Sequence, residues 1–472
     1  MRYVDSSLGF GSFTKRILLS TGLPYTATCE NKMLSLEECA KRARDAATIL
    51  SCASSDVKNA CLEQLSKALI QETDGIVTSN AADLERGRTL NLDAPLMKRL
   101  DVSTPGKVKT LAAYCDAVRE LDDPVGTCTM AKQLDSGLNL YRVSCPIGVI
   151  CIIFESRPDA AVQIAALCIK SGNACILKGG KEAVTTNSVL VKTIRSTLAA
   201  SGLPEDAVQL VETREQVKEL LALHEYIDLV IPRGSKAMVR NVMAATSIPV
   251  LGHADGVCHC FVDERADAKK AVDIVVDSKT QYTTVCNATE TLLIHKKAMP
   301  ALLPAISDAL VKKGVKINAS KECASYISGG VANVLGSSDG DWFATEYLGL
   351  EISVVAVASL DEAIHHINKH GSHHTDCIIT EDTSAAEIFM QRVDSAGVFH
   401  NASTRFADGF RYGFGSEVGV STNRIHARGP CGLESLLIYK YKLRGSGHCV
   451  AGYCSGKDKF HFKPLGLRDD NK

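Results

Sequence analysis

GVICIIFESRPDAAVQIAALCIKSGNACILKGG, residues 148–180, is the stretch that decides the fold. It reads as an apolar strand (148–154), a helix (160–172) and a second apolar strand ending in two glycines (174–180). Outward from there the alternation continues: helix 182–202, strand 207–212, helix 214–223, strand 227–234, helix 235–246 and strand 248–253. Short apolar strands alternating with helices imply parallel βαβ units covered by helices on both faces, a Rossmann-type sheet. A second series starts with strand 258–263, helix 266–281 and strand 289–295, and runs to about residue 402. Upstream, residues 36–72 repeat apolar positions at helical spacing, with Ser54, Ser55 and Asp56 as a break and cap. TCTMAKQL (127–134) and LNLYRVSCP (138–146) flank Asp135, Ser136 and Gly137 and predict a β-hairpin; ESLLIYKYKLRG (434–445) alternates like a late strand.

These patterns divide the chain into an extension (1–33), a first α/β domain (34–252) carrying the hairpin 127–144, and a second α/β domain (253–402). A return segment with the late strand (403–448) and a tail (449–472) follow. With 472 residues, 45% hydrophobic and 23% charged, the chain has room for two or three ordinary globular domains. Lys+Arg 53 against Asp+Glu 54 gives a charge of -1, so no nucleic-acid partner is expected. The longest apolar runs are far shorter than a membrane helix requires, and no membrane partner is expected. The 18 cysteines are scattered and many lie inside apolar runs, as core thiols in a reducing compartment would. The cytoplasm is expected; residues 1–33, with Arg2, Lys15, Arg16 and many Ser and Thr, leave the mitochondrion as the alternative should they act as a targeting sequence.

Three junctions carry chemistry. Gly234 and Ser235, between strand and helix, offer backbone N–H groups and a helix dipole to an anion, although an ordinary capped turn uses the same residues. Lys178 and Lys181 flank Gly179 and Gly180 at a strand's carboxyl end, where α/β sheets bind ligands; two solvated lysines would look alike. Cys286 lies in a polar loop between a helix and a strand, the setting of a reactive thiol and equally of one more loop cysteine. A metal site from His253, Cys258, His259 and Cys260, or from His365, His366, His373 and His374, lacks a completing ligand pair, so no metal is expected.

Taken together, eight segments are far more specific. They are 141–159 (YRVSCPIGVICIIFESRPD), 171–183 (SGNACILKGGKEA), 251–263 (LGHADGVCHCFVD), 285–295 (VCNATETLLIH), 345–354 (TEYLGLEISV), 374–382 (HTDCIITED), 394–409 (DSAGVFHNASTRFADG) and 421–436 (STNRIHARGPCGLESL). In order and spacing they resemble the γ-glutamyl phosphate reductase family of the aldehyde dehydrogenase superfamily, over about residues 35–448. No fused glutamate kinase domain is expected. The resemblance implies an α/β, aldehyde-dehydrogenase-like fold: a Rossmann-type NADP-binding domain, a second α/β catalytic domain and an oligomerisation β-hairpin. It implies a homo-oligomer, and glutamate 5-kinase as a further partner. Cys286 would be the thiolate nucleophile and Lys178 the lysine near the adenine ribose. Gly234 and Ser235 would form the pyrophosphate turn, Glu346 would hold the nicotinamide ribose, and Asn401 would stand on the strand behind the site.

The departures matter as much. Hydrolytic relatives carry a base glutamate where this chain has Val250, and an oxyanion asparagine where Glu155 or Ser156 stands. Oxyanion stabilisation then falls to the Cys286 backbone N–H and to donors the sequence does not name. Lys181 replaces the glutamate by which NAD-preferring relatives hold the ribose hydroxyls, and an ammonium there attracts a 2′-phosphate, implying NADPH. For the substrate L-glutamyl 5-phosphate, Arg157 and Arg405 are the candidates for carboxylate and phosphate, with Glu155 or Asp255 for the ammonium. The rival readings are a hydrolytic or CoA-acylating aldehyde dehydrogenase and a catalytically silent homologue.

Overall fold

The computed structural model describes residues 35–212, 215–253, 255–327, 333–335 and 342–467. The extension expected over residues 1–33, and any targeting role for it, lie outside the described residues. Among the described residues, no helix is long and apolar enough to cross a membrane.

Among the described residues the first elements are five helices, Leu36–Leu50, Ser55–Gln71, Thr73–Thr89, Ala94–Leu100 and Pro105–Glu120. Ser54 caps the second as expected, its hydroxyl accepting from Val57 N at 3.4 Å. They pack around a parallel sheet whose strands run in the spatial order Val208–Val211, Ala174–Lys178, Val149–Phe154, Leu229–Arg233. Val149–Phe154 is buried along its whole length, as a strand covered on both faces must be. The next helix, Pro158–Ser171, is buried almost all round and ends at Gly172, whose φ of 76° closes it in the left-handed conformation. The chain builds outward from Val149–Phe154 in one direction and then returns to its other side with Leu229–Arg233. A crevice therefore opens where the carboxyl ends of these two strands diverge.

One expected strand is nearly absent. Residues 248–253 make a single bridge, Val230 with Val250, through Val230 N to Pro249 O and Leu251 N to Val230 O, both 2.9 Å. Pro249 has no N–H to extend the ladder, and the chain leaves the sheet after Leu251.

The second sheet is larger and wholly parallel. Its order is Asn333–Leu335, Lys316–Ser320, Glu351–Val357, Thr289–His295, Cys258–Val262, Thr375–Ile379, Gly397–His400. Three neighbouring strands, Thr289–His295, Cys258–Val262 and Thr375–Ile379, thus start side by side. The segments that lead into them, ending at Cys286, His253 and His374, meet at that amino edge.

The hairpin forms from Cys128–Asp135 and Leu138–Pro146, and the late strand Leu437–Arg444 pairs antiparallel with the second of these, Leu437 opposite Pro146 through Arg444 opposite Asn139. Ile438, Tyr439, Tyr441 and Leu443 stay exposed along that strand. The opposite edge is covered by the short strand Lys463–Pro464 of the tail, with Lys132 opposite Pro464.

Candidate active site

Cys286 stands in the turn between helix Ala268–Thr280 and strand Thr289–His295 and is half-buried. Its Sγ lies 3.1 Å from His374 Nε2, and His374 Nδ1 lies 2.9 Å from Thr375 Oγ1. His253 approaches from the other side. Its Nδ1 sits 2.9 Å from the carbonyl of Val420, which only accepts, so that nitrogen carries the proton and Nε2 is left toward the thiol. The two rings meet edge-on with centroids 5.0 Å apart. Burial alone would push the Cys286 thiol up, but the positive field and hydrogen bonds of His374 and His253 outweigh it and hold the thiol well below its ordinary value. His253 responds in kind: burial disfavours its charged form, yet the adjacent thiolate raises it to about 9. Cys286 and His253 thus form a thiolate–imidazolium pair, with His374 Nε2 in contact with the same sulfur.

The backbone around Cys286 is fixed from two directions. Cys258 Sγ reaches the Cys286 carbonyl at 3.2 Å. A Cβ on Gly256 would overlap the backbone of Cys286, so the chain passes there only because the residue is glycine. Gly256 N donates to Glu346 Oε1 at 3.0 Å, and burial, then the charge of Cys286, raises the Glu346 carboxyl. Glu346 thereby faces the nucleophile's side of the cleft.

Three guanidiniums complete the surroundings. Arg233, at the carboxyl end of the first sheet, donates to the Glu417 carbonyl at 3.3 Å. Burial and then the nearby Arg157 bring it down to about 10, against the opposing pull of Glu417, Asp159 and Cys286. Arg405 Nε donates to Gln281 Oε1 at 3.0 Å; burial lowers it, followed by Arg411, while Cys286 opposes. Arg157 lies 3.3 Å from Asp159. The expected Arg157 and Arg405 are therefore joined by Arg233, which the sequence reading missed although it directly precedes Gly234.

Other expectations need correcting. Glu155 is engaged at the first sheet: its Oε2 accepts from Ser235 N at 3.0 Å, at the start of helix Lys236–Ala245. Asp255 is ion-paired with Lys236 and with Arg240, the latter at 3.0 Å, so two cations of this chain already compete for its charge. Asn401 accepts from Thr380 N at 3.0 Å and donates to Thr380 O at 2.9 Å, so its amide braces the strand end rather than facing the cleft. The two groups weighed for metal, one of histidines and cysteines and one of histidines alone, do not assemble as such: His259 bonds Asp376 at 2.9 Å. Instead His253 and His374 each leave their group to flank Cys286, and these three donor atoms lie within 4.8 Å of one another. The available signal was their position before apolar strands, which marks many residues besides these.

On the first sheet, Lys178 is buried at the strand end with Nζ 2.5 Å from Gly179 O, and Lys181 is exposed on the turn Lys181–Ala183. Glu182, not singled out from sequence, turns inward and accepts from Ser156 N at 2.7 Å and Ser156 Oγ at 2.8 Å. Side chains at Gly179, Gly180 and Gly234 would strike Asn187, Glu182 and Glu155. Bare backbone, two lysines and a capped helix at a switch point fit the phosphates and ribose of a nicotinamide dinucleotide, once Glu155 yields the Ser235 N–H.

The family model described as "Aldehyde dehydrogenase family" matches residues 26–328. The chain belongs to that family. Within it, the γ-glutamyl phosphate reductase of Acetivibrio thermocellus is 49% identical over 427 residues, 90% of this chain and 97% of the relative. That of Pelotomaculum thermopropionicum is 48% identical, over 92% of this chain and 98% of the relative. The crystal structure of the Thermotoga maritima γ-glutamyl phosphate reductase superposes with a TM-score of 0.84 at 38% identity, covering 88% of this chain and 99% of that one. An acetylating aldehyde dehydrogenase from Geobacillus thermoglucosidasius shares the fold, with a TM-score of 0.61 at 15% identity. The α/β, aldehyde-dehydrogenase-like architecture implied by the sequence is thus the family's own, and the chain is an oxidoreductase of this family acting on a small molecule.

Proposed function

We propose that this chain reduces L-glutamyl 5-phosphate to L-glutamate 5-semialdehyde with release of phosphate, in proline biosynthesis, using NADPH. The observation that carries the reading is the Cys286 thiolate held between His374 and His253, whose charge is felt by Arg233 and Arg405, with Arg157 near Arg233. The thiolate attacks the acyl carbon; the C–S bond forms as the C–O bond to phosphate breaks, leaving a thioester. Arg233 and Arg405 offset the charge of the acyl phosphate and of the departing phosphate, which leaves Arg157 for the α-carboxylate. Bound NADPH supplies the hydride that reduces the thioester carbonyl. The resulting oxyanion re-forms a carbonyl, expelling the Cys286 thiolate, which the two imidazoles receive back in its anionic form. Val250 matters by what it lacks: where hydrolytic relatives carry a base glutamate, this apolar side chain, packed against the core of the first sheet, cannot activate water, so phosphate is the natural acceptor in reverse.

The deciding experiment is oxidation of glutamate semialdehyde, supplied as pyrroline-5-carboxylate, with NADP or NAD and with or without phosphate. Turnover is expected to require phosphate or its analogue arsenate and to favour NADP. Equal rates without phosphate would make the enzyme hydrolytic, and dependence on added CoA would make it an acylating dehydrogenase.

Cofactor choice rests on Lys181, exposed at the strand end. Lys181→Glu is expected to weaken NADPH binding roughly ten- to hundredfold, the value of one charge-assisted contact, with NADH little changed. Fluorescence titration with both cofactors checks this; equal losses would show that Lys181 does not read the 2′-phosphate.

A further inference from the structure

The proposed substrate carries an α-ammonium, and both carboxylates the sequence offered for it are engaged elsewhere, Glu155 with Ser235 N–H and Asp255 with Lys236 and Arg240. A third carboxylate is better placed. Asp159 lies in the first turn of helix Pro158–Ser171, at the carboxyl edge of the first sheet beside the switch point. Its Oδ2 accepts from Arg157 at 3.3 Å and from Gln163 Nε2 at 3.4 Å. Its Oδ1 is buried and has no hydrogen-bond partner. A buried anionic oxygen without a donor is costly, and a bound cation with N–H groups would remove that cost.

The surroundings tie this oxygen to the reacting centre. Arg233 lies in the fields of both Asp159 and Cys286. Tyr114, half-buried on helix Pro105–Glu120, has its hydroxyl pushed up by burial and then by the charge of Asp159. The other acid here, Glu417, is already spent: it accepts from Gly409 N at 2.9 Å and faces Arg233 at 3.9 Å. An α-amino acid head group presents one cation and one anion on the same carbon, and it needs an acid and a base side by side. Arg157 and Asp159, 3.3 Å apart, form such a pair.

We propose that Asp159, through its unpartnered Oδ1, is the subsite for the substrate's primary ammonium, with Arg157 beside it taking the α-carboxylate. This rests on the glutamyl phosphate reading above and names a specificity determinant within that same site.

The test compares glutamate 5-semialdehyde with 5-oxopentanoate, the same chain without the amino group, in the phosphate-dependent oxidation. Wild type is expected to favour the amino substrate in kcat/KM. Asp159→Asn is expected to lose roughly ten- to hundredfold on the amino substrate, the worth of a charge-assisted contact, and to change little on 5-oxopentanoate. Asp159→Glu, which keeps the charge, should retain part of the preference. Equal losses on both substrates would mean that Asp159 only steadies Arg157, and undiminished discrimination in Asp159→Asn would place the ammonium elsewhere; either overturns the inference. Wild type inactive on both substrates would instead sink the glutamyl phosphate reading itself.

Discussion

Cys286→Ala is expected to lower turnover by roughly four orders of magnitude or more, the scale on which removal of a covalent nucleophile is felt. NADPH affinity should remain nearly unchanged, because the residues proposed to hold the dinucleotide, Lys178, Lys181 and the Gly234–Ser235 turn, lie on the first sheet, while the thiol belongs to the second. Single-turnover assays with the acyl phosphate, alongside cofactor fluorescence, separate the two effects. Replacing the buried Cys151, Cys168 or Cys175 by alanine should leave turnover largely intact, since each only fills the core of the first domain. Cys258→Ala should be intermediate, because its thiol steadies the Cys286 carbonyl. Turnover above a few per cent in the Cys286 variant would mean that another group forms the covalent bond.

His374→Ala is expected to move the acid limb of the pH–rate profile upward. With the imidazoles in place the thiol is held well below its ordinary value, so the thiolate persists across neutral pH and is lost only on acidification. The sign follows directly: a depressed thiol pKa means activity present above it and falling as pH drops through it. Without His374 the lowering force is reduced while the burial that raises the thiol stays, so loss begins at higher pH. An unactivated thiol near 8.5 is only a few per cent ionised at pH 7, so a decrease of roughly tenfold or more in rate is expected there, recovering as pH rises. Alkylation of Cys286 by iodoacetamide across pH reads the thiolate without needing turnover. An alkylation profile identical to wild type would show that His374 does not set the ionisation.

The fold was legible because it is written in local pattern. Apolar runs of strand length separated by helices announce a parallel sheet wherever they occur, and glycines at strand ends mark where backbone must stay bare. The candidate nucleophile was legible through its motif, being a loop cysteine while many others lie in the core. Its partners were not. His374 stands 88 residues beyond Cys286, and the two meet only because Thr289–His295, Cys258–Val262 and Thr375–Ile379 are neighbours in the sheet. Strand order is a property of the whole chain, and no local period encodes it. The misplaced carboxylates have the same origin. Glu155 and Asp255 have the charge an ammonium needs, but which neighbour claims a carboxylate is decided by the turn across from it, here Ser235 and the helix carrying Lys236 and Arg240. The strand at 248–253 failed for a local reason that was readable, the missing N–H of Pro249.

The crossing of Gly256 over Cys286 has a consequence for how such a chain can diverge. Every amino acid but glycine would bring a carbon into the space held by the main chain of the nucleophile's turn. A substitution there would shift the sulfur relative to both imidazoles, and would disturb the Glu346 carboxylate that rests on the same peptide N–H. One codon distant from the cysteine in sequence thus guards the thiol, both imidazoles and the carboxylate at once. Gene-wide mutagenesis would register it as intolerant of substitution even though it contributes no side chain to the chemistry.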